Sequence, residues 1–154
     1  MRLKPREWVP SLLLAVGAAA CVITRSPVAP RVPPTVIYDI SQLNPVTVDE
    51  IVAPATTDEI VAAVKRYAGP ISIGGSRHSM GGQTAAPGGL QIDMRRFDRI
   101  IAFDSAAKTI TVQAGIRWRQ ILQRIDSANL SVEIMQSYAN FTVGGSLSVN
   151  AHGR

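Results

Sequence analysis

The stretch Ile73-Gly74-Gly75-Ser76-Arg77-His78-Ser79-Met80-Gly81-Gly82-Gln83 constrains this chain more than any other part of it. Its glycines follow Ile71-Ser72-Ile73, a strand-like run, so the chain must pass from extended backbone into an open turn. Glycine reaches positive φ without steric cost and lets a ligand approach the main chain. Successive N–H groups in such a turn form a concavity suited to an anion, typically a phosphate. The spacing is not G-x-G-x-x-G, and no βαβ unit with an acidic residue follows, so the dinucleotide fingerprint is absent. The residues alone leave two readings open, a diphosphate-binding loop or an ordinary glycine-rich turn between strands. His78 is the only histidine in the loop: a candidate for ligand contact or covalent attachment, otherwise a solvated side chain. Arg77 either balances phosphate charge or faces solvent.

Elements around the loop follow from local signals. Val46–Val52 is a β-branched stretch ended by Pro54. Thr56 with Glu59 three residues on makes a capping box. Ile60, Val64 and Tyr67 then fall at helical spacing and predict an amphipathic helix over 57–67, stopped by Gly69-Pro70. Leu90, Ile92 and Met94 alternate with polar residues, as do Ile110, Val112 and Ala114, so both segments read as half-buried strands. Residues 99–103 read as another strand, and the short connections between these three favour antiparallel pairing. Trp118, Ile121, Leu122 and Ile125 trace one face of a second helix, and 130–132 reads as a short strand. The mixture is α+β rather than a doubly wound sheet.

A second polar cluster runs from Ser137 to Arg154. Thr142 is placed to cap a helix, and Gly144-Gly145 permits close backbone approach. Ser146, Ser148, Asn150 and His152 alternate with Leu147, Val149 and Ala151. The chain stops at Arg154 shortly after, without a terminating element, which reads as a truncated product or a fragment.

Charge excludes one class of partner. The 154 residues carry a formal net charge of +5. Residues 1–31 hold five basic and one acidic side chain, a net of +4, while residues 32–154 hold 11 basic and 10 acidic, a net of +1. No basic face remains for nucleic acid on the folded part. The N-terminal excess (Arg2, Lys4, Arg6) precedes an uncharged run from Trp8 to Thr24, the layout of a secretory signal or a membrane anchor in residues 1–24. Either places the chain outside the cytoplasm, secreted, periplasmic or membrane-tethered. Cys21 is the only cysteine, so no disulfide forms within the chain; two readings stand, a small apolar residue of that run, which is favoured, and a lipoprotein cleavage site after Ala18-Ala19-Ala20. Prolines at 27, 30, 33, 34 and 45 make residues 25–43 an extended linker, with globular patterning from residue 44.

His78-Ser79 with Gln83 five residues after the histidine, then Thr142-Val143-Gly144-Gly145-Ser146-Leu147-Ser148 roughly sixty residues later, resembles the FAD-linked oxidases of the vanillyl-alcohol oxidase type. These include cytokinin dehydrogenases, sugar-lactone oxidases and alditol oxidases. The resemblance covers residues 44–154, and Leu90–Phe97 and Ile110–Gly115 fit it as well. It implies the N-terminal part of a PCMH-type FAD-binding domain, incomplete at its C-terminus. Gly74, Gly75, Ser76 and Arg77 would hold the FAD diphosphate, and His78 would bond to the C8-methyl carbon of the flavin. Ser79 and Gln83 would line the cofactor, with Ser137, Thr142, Gly145, Ser148, Asn150 and His152 completing the pocket. The implied activity is hydride transfer to FAD from a CH–OH or CH–NH carbon of a small alcohol, sugar, lactone or amine. The family's substrate domain and active-site base lie C-terminal to this segment, so no catalytic residue and no metal ligand is assigned here. One residue departs from the pattern: many members carry glycine where this chain has Arg77. The opposing expectation is a catalytically inactive, secreted or membrane-tethered remnant.

Overall fold

Residues 35–153 are described by the computed structural model. The basic start, the apolar run 8–24 and the prolines at 27–34 lie outside the described residues, as does Arg154. Among the described residues no helix is long and apolar enough to cross a membrane.

Folded structure begins earlier than residue 44. Strand β1 (Val36–Ile37) pairs antiparallel with β2 (Val46–Thr47), and Ile37 is only 2% exposed. The segment 36–43, expected in the linker, is therefore part of the domain. The physical reason lies in the gap between Pro34 and Pro45, which holds β-branched Val36-Ile37 and no proline.

Strands β3 (Glu50–Val52), β4 (Ile71–Gly74) and β5 (Leu90–Asp93) form a parallel sheet in the order β3-β5-β4. Helix α1 (Thr57–Arg66) makes the crossover between β3 and β4 that parallel pairing demands. Thr56 Oγ1 accepts the Glu59 N–H at 3.2 Å, as the capping signal requires, while the Glu59 carboxylate accepts from Ala55 N at 2.7 Å, one residue earlier than an ideal box. Asp58 and Glu59 in the first turn, and Lys65 and Arg66 in the last, complement the helix dipole. Ala63 packs with Leu90 and Ile92, flanked by Val52, Tyr67, Ile71 and Met94. Burying Leu90 and Ile92 contributes about 1.5–3 kcal/mol each.

Here the structure corrects the strand assignments. The segment at 90–93 does not pair with 100–104; it is the central strand of the parallel sheet, and the 3-10 turn Met94–Arg96 redirects the chain after it. Nor is it half-buried, since Leu90, Gln91, Ile92 and Asp93 are all buried. Its polar residues alternate because they serve a buried polar network, with Ser72 Oγ donating to Gln91 Oε1 at 2.8 Å. Strands β6 (Ile100–Asp104) and β7 (Thr109–Val112) do pair antiparallel, with an irregularity between Ile100 and Ala102. Helix α2 (Trp118–Asp126) buries Ile121 and Ile125 against Ile116 and Val143, the centre of a second core. Leu130 and Val132 pack against that core without forming the expected strand, and Leu130 N donates to the Ile125 carbonyl at 3.3 Å. A short helix α3 (Val143–Ser148) follows, so the polar alternation of 146–152 is not strand-like.

Candidate cofactor site

The loop leaving β4 carries its strain at one residue. Arg77 has φ +60°, in the left-handed region that costs an L-residue about 1–2 kcal/mol and that glycine adopts freely. The departure noted in the sequence thus falls where a glycine would sit with least strain. Compensation comes from the side chain and the carbonyl. Arg77 Nη2 donates to Asp93 Oδ2 at 2.8 Å, and the Arg77 carbonyl accepts from Ile40 N at 2.8 Å. Asp93, 6% exposed on β5, also accepts from Arg95 Nε at 2.8 and 3.0 Å. Burial pushes the Asp93 pKa up, but the Arg95 hydrogen bonds and the Arg95 and Arg77 charges outweigh it and hold the carboxyl below its ordinary range. Arg77 is pulled down from its own ordinary value by burial and then by Arg95, with Asp93 partly offsetting both. Its side chain is 18% exposed. It pairs with Asp93 while still lining the cavity described below.

His78 sits in an aromatic corner. Its ring lies edge-to-face with Phe141 at 4.6 Å and with Tyr138 at 5.3 Å, and those two rings meet each other at 5.2 Å. Burial, then the Arg117 charge, lowers the His78 pKa, with the Ser76 backbone opposing. The imidazole is consequently biased toward the neutral form, whose ring nitrogen carries a free lone pair. Its Nδ1 is buried without a hydrogen-bond partner, as is Arg77 Nε. Buried polar atoms left unpaired are rare and gather at functional positions.

The second cluster reaches this loop because residues 139–144 are strapped along 114–119. Arg119 N donates to the Ala139 carbonyl and Trp118 N to that of Phe141, at 2.8 and 3.2 Å. Val143 N and Gly144 N return to the carbonyls of Ile116 and Ala114, both at 2.8 Å. Gly144 is required here, since a Cβ would stand 2.9 Å from Ala114 Cβ. Ser76 Oγ donates to the Asn140 carbonyl at 2.9 Å, joining the clusters directly. Trp118 Nε1 donates to Ser146 Oγ at 2.9 Å and fixes α3 against α2. Thr142 stands at the N-cap of α3, but its side chain makes no capping hydrogen bond. Instead it closes on Gly75, where a Cβ would come within 2.2 Å of Thr142 Oγ1.

Between these segments lies a cavity of about 460 Å³, within the usual span of small-molecule and cofactor pockets. Of the residues expected from the sequence, Gly75, Ser76, Arg77, His78, Ser79, Thr142, Gly145 and Ser148 line it. Five do not. Gly74 is still on the sheet, opposite Asp93. The Gln83 amide folds back over Gly81. Ser137 is exposed, Asn150 turns the chain at φ +51°, and the exposed His152 turns its Nδ1 to the Asn150 carbonyl at 2.9 Å. The lining also includes Ile73, Met94, Phe141, Ser146 and Val149, which sequence reasoning did not select. Phe141, flanking Thr142 and the glycine pair, offered a signal; Met94 offered none beyond its strand.

The profile of one family, the FAD binding domain, matches residues 48–154. The chain belongs to the FAD-binding domain family. An uncharacterized oxidoreductase of the fasciation locus of Rhodococcoides fascians is 32% identical over 106 residues, which are 67% of this chain and 24% of that protein. Alditol oxidase of a Streptomyces species is 28% identical over 109 residues, 70% of this chain and 26% of that protein. Among solved structures, a solvent-stable cholesterol oxidase superposes with a TM-score of 0.63 at 25% identity, covering 77% of this chain and 24% of that one. The chain thus spans about a quarter of the length of the relatives it matches. The fold is that of the FAD-binding domain, mixed helix and strand, in an oxidoreductase family. The cavity suits the cofactor of this FAD-binding domain: glycine backbone on two sides, an apolar flank of Ile73, Met94, Phe141 and Val149, and a histidine with an unpaired ring nitrogen.

Proposed function

We propose that this chain holds FAD in the cavity between the 75–79 loop and residues 141–151, tethered covalently through His78, as part of an enzyme oxidising a CH–OH or CH–NH carbon of a small alcohol, sugar, lactone or amine. The observation that carries the reading is the convergence of His78, Thr142, Gly145 and Ser148 on one cavity. When bound, FAD supplies the hydride acceptor. The residues of this chain supply the setting. Gly75 and Gly145 let the main chain pack around Thr142 at the cavity wall, and Ser76 and Ser148 place hydroxyls beside it. Phe141 and Tyr138 pack edge-on against the His78 ring, and burial with the Arg117 charge lowers its pKa and so favours the neutral form, in which a ring nitrogen is nucleophilic. Ile73, Met94 and Val149 give the cavity an apolar flank that a bound ring system would cover. The basic, then apolar, start of the chain supports a location outside the cytoplasm.

The test is acid precipitation of the purified protein followed by trypsin. Cleavage after Arg77 and Arg95 releases a peptide of residues 78–95 with His78 at its N-terminus, and mass spectrometry should find flavin on it. Flavin recovered wholly in the supernatant removes the tether and leaves FAD binding. Protein that takes up no FAD removes the reading itself.

A further inference from the structure

Residues 35–44 precede the family match at 48, yet they grip the His78 loop from both ends. Before the histidine, Ile40 N donates to the Arg77 carbonyl at 2.8 Å. Beyond it, Gly81 N donates to Asp39 Oδ2 at 2.8 Å. The carboxylate is itself held in place: Asn44 Nδ2 donates to Oδ2 at 2.9 Å, and Ser41 donates to Oδ1 from its N–H at 2.9 Å and from its hydroxyl. Asp39 is 4% exposed, so these charge-assisted bonds are shielded from water. The Ser41 hydroxyl first, and the Gly81 amide next, hold its pKa far below the usual carboxylate range.

The loop needs a grip of this kind. Arg77 at φ +60° lies in left-handed backbone that is strained for an L-residue, and Gly81 at φ +118° holds a conformation only glycine adopts freely, at a cost in chain entropy. Such conformations persist only where the surroundings over-determine them.

We propose that Asp39 is a positioning residue for the cofactor: with Ile40 fixing Arg77, it fixes Gly81 and so sets the orientation in which His78 meets the cavity. This rests on the cavity being the FAD site. Asp39 touches no cofactor. It acts through the loop, and an amide cannot replace it. Asparagine would turn an NH₂ toward either the Gly81 and Asn44 donors or the Ser41 donors, and one side must open.

The experiment compares wild type, Asp39→Asn and Ser41→Ala by hydrogen exchange of the intact protein and by FAD titration of each protein produced flavin-free. Asp39→Asn should speed exchange in residues 77–82 about tenfold, with residues 118–126 unchanged, and weaken FAD binding about tenfold. Ser41→Ala removes one donor to Oδ1 but leaves Gly81 bonded, and should fall between wild type and Asp39→Asn. A merely structural role would raise exchange evenly across the domain and leave FAD affinity of the folded fraction untouched; that result overturns the proposal. Wild-type exchange at 77–82 in folded Asp39→Asn overturns it equally. Should Asp39→Asn fail to fold, Ser41→Ala paired with Asn44→Ala decides by the same two readouts. Failure of the wild type to bind FAD sinks the cofactor reading, while the exchange pattern still judges the grip.

Discussion

Replacing Arg77 by glycine and by alanine separates backbone strain from charge at the residue before His78. Both variants lose the Arg77–Asp93 ion pair. Removing one member of a buried pair costs about 3–5 kcal/mol when the other is stranded. Asp93 is not stranded, because Arg95 Nε still donates to both its oxygens and Arg95 N to Oδ1 at 3.1 Å. The loss should therefore be nearer about 1–3 kcal/mol, the worth of a charge-assisted hydrogen bond. The variants differ in the backbone. Alanine keeps the left-handed cost of about 1–2 kcal/mol, and glycine removes it. Against that, glycine adds about 0.4–1 kcal/mol of unfolded-chain entropy. Arg77→Gly should thus be the more stable variant, by about 1 kcal/mol in the middle of a range of about 0–1.6 kcal/mol. Urea unfolding followed by tryptophan fluorescence reads this, since Trp118 is packed against Ser146. With a slope of about 1–3 kcal/mol per M, a difference of about 1 kcal/mol separates the midpoints by roughly 0.3–1 M. If Arg77→Gly unfolds at or below the midpoint of Arg77→Ala, position 77 is not strained and its positive φ needs another account.

Gly75→Ala should destabilise the fold by about 1–3 kcal/mol, because the new Cβ overlaps Thr142 Oγ1. Adding Thr142→Ala should recover part of that loss, and a double-mutant cycle in urea measures it. His78 should titrate below 6.5, the ordinary histidine value, in an NMR pH series; with only two histidines in the chain the signals are readily assigned. Since its folded pKa is lowered, the unfolded state binds the proton more readily. The stability His78 contributes is complete above about 6.5 and declines as pH falls from there toward the folded value. His78→Gln should flatten that segment of the stability profile. Phe141→Ala should move the His78 pKa back toward 6.5 by admitting water to the ring; an unchanged value means that burial at this corner comes from elsewhere.

What could be read in the sequence was local. The capping residues of α1, the stripe Ile121–Ile125 of α2 and the pairing of β6 with β7 all follow from neighbours within one or two turns of chain. The loop at 74–82 was visible as a candidate site for the same reason: glycines announce backbone geometry where they stand. Partnership across long separations was not visible. Asp93 looked like the solvent side of an alternating strand, yet it is buried because Arg77 and Arg95 neutralise it. Asp39 looked like part of a linker because nothing near it in sequence reveals Gly81, 42 residues away. Gln83 fitted a family spacing but folds onto its own turn, while Phe141 reaches the cavity on the strap along 114–119 and Met94 from the 3-10 turn after β5, placements no periodicity encodes. The errors share a cause. In a parallel sheet the central strand is covered on both faces, so polar residues there are held by charges from other segments and mimic an exposed edge. Arg77 ties the two lessons together: where a glycine would relieve the backbone, this chain has a side chain that reaches through the loop to Asp93, and the strain it accepts fixes the residue on which the flavin reading depends.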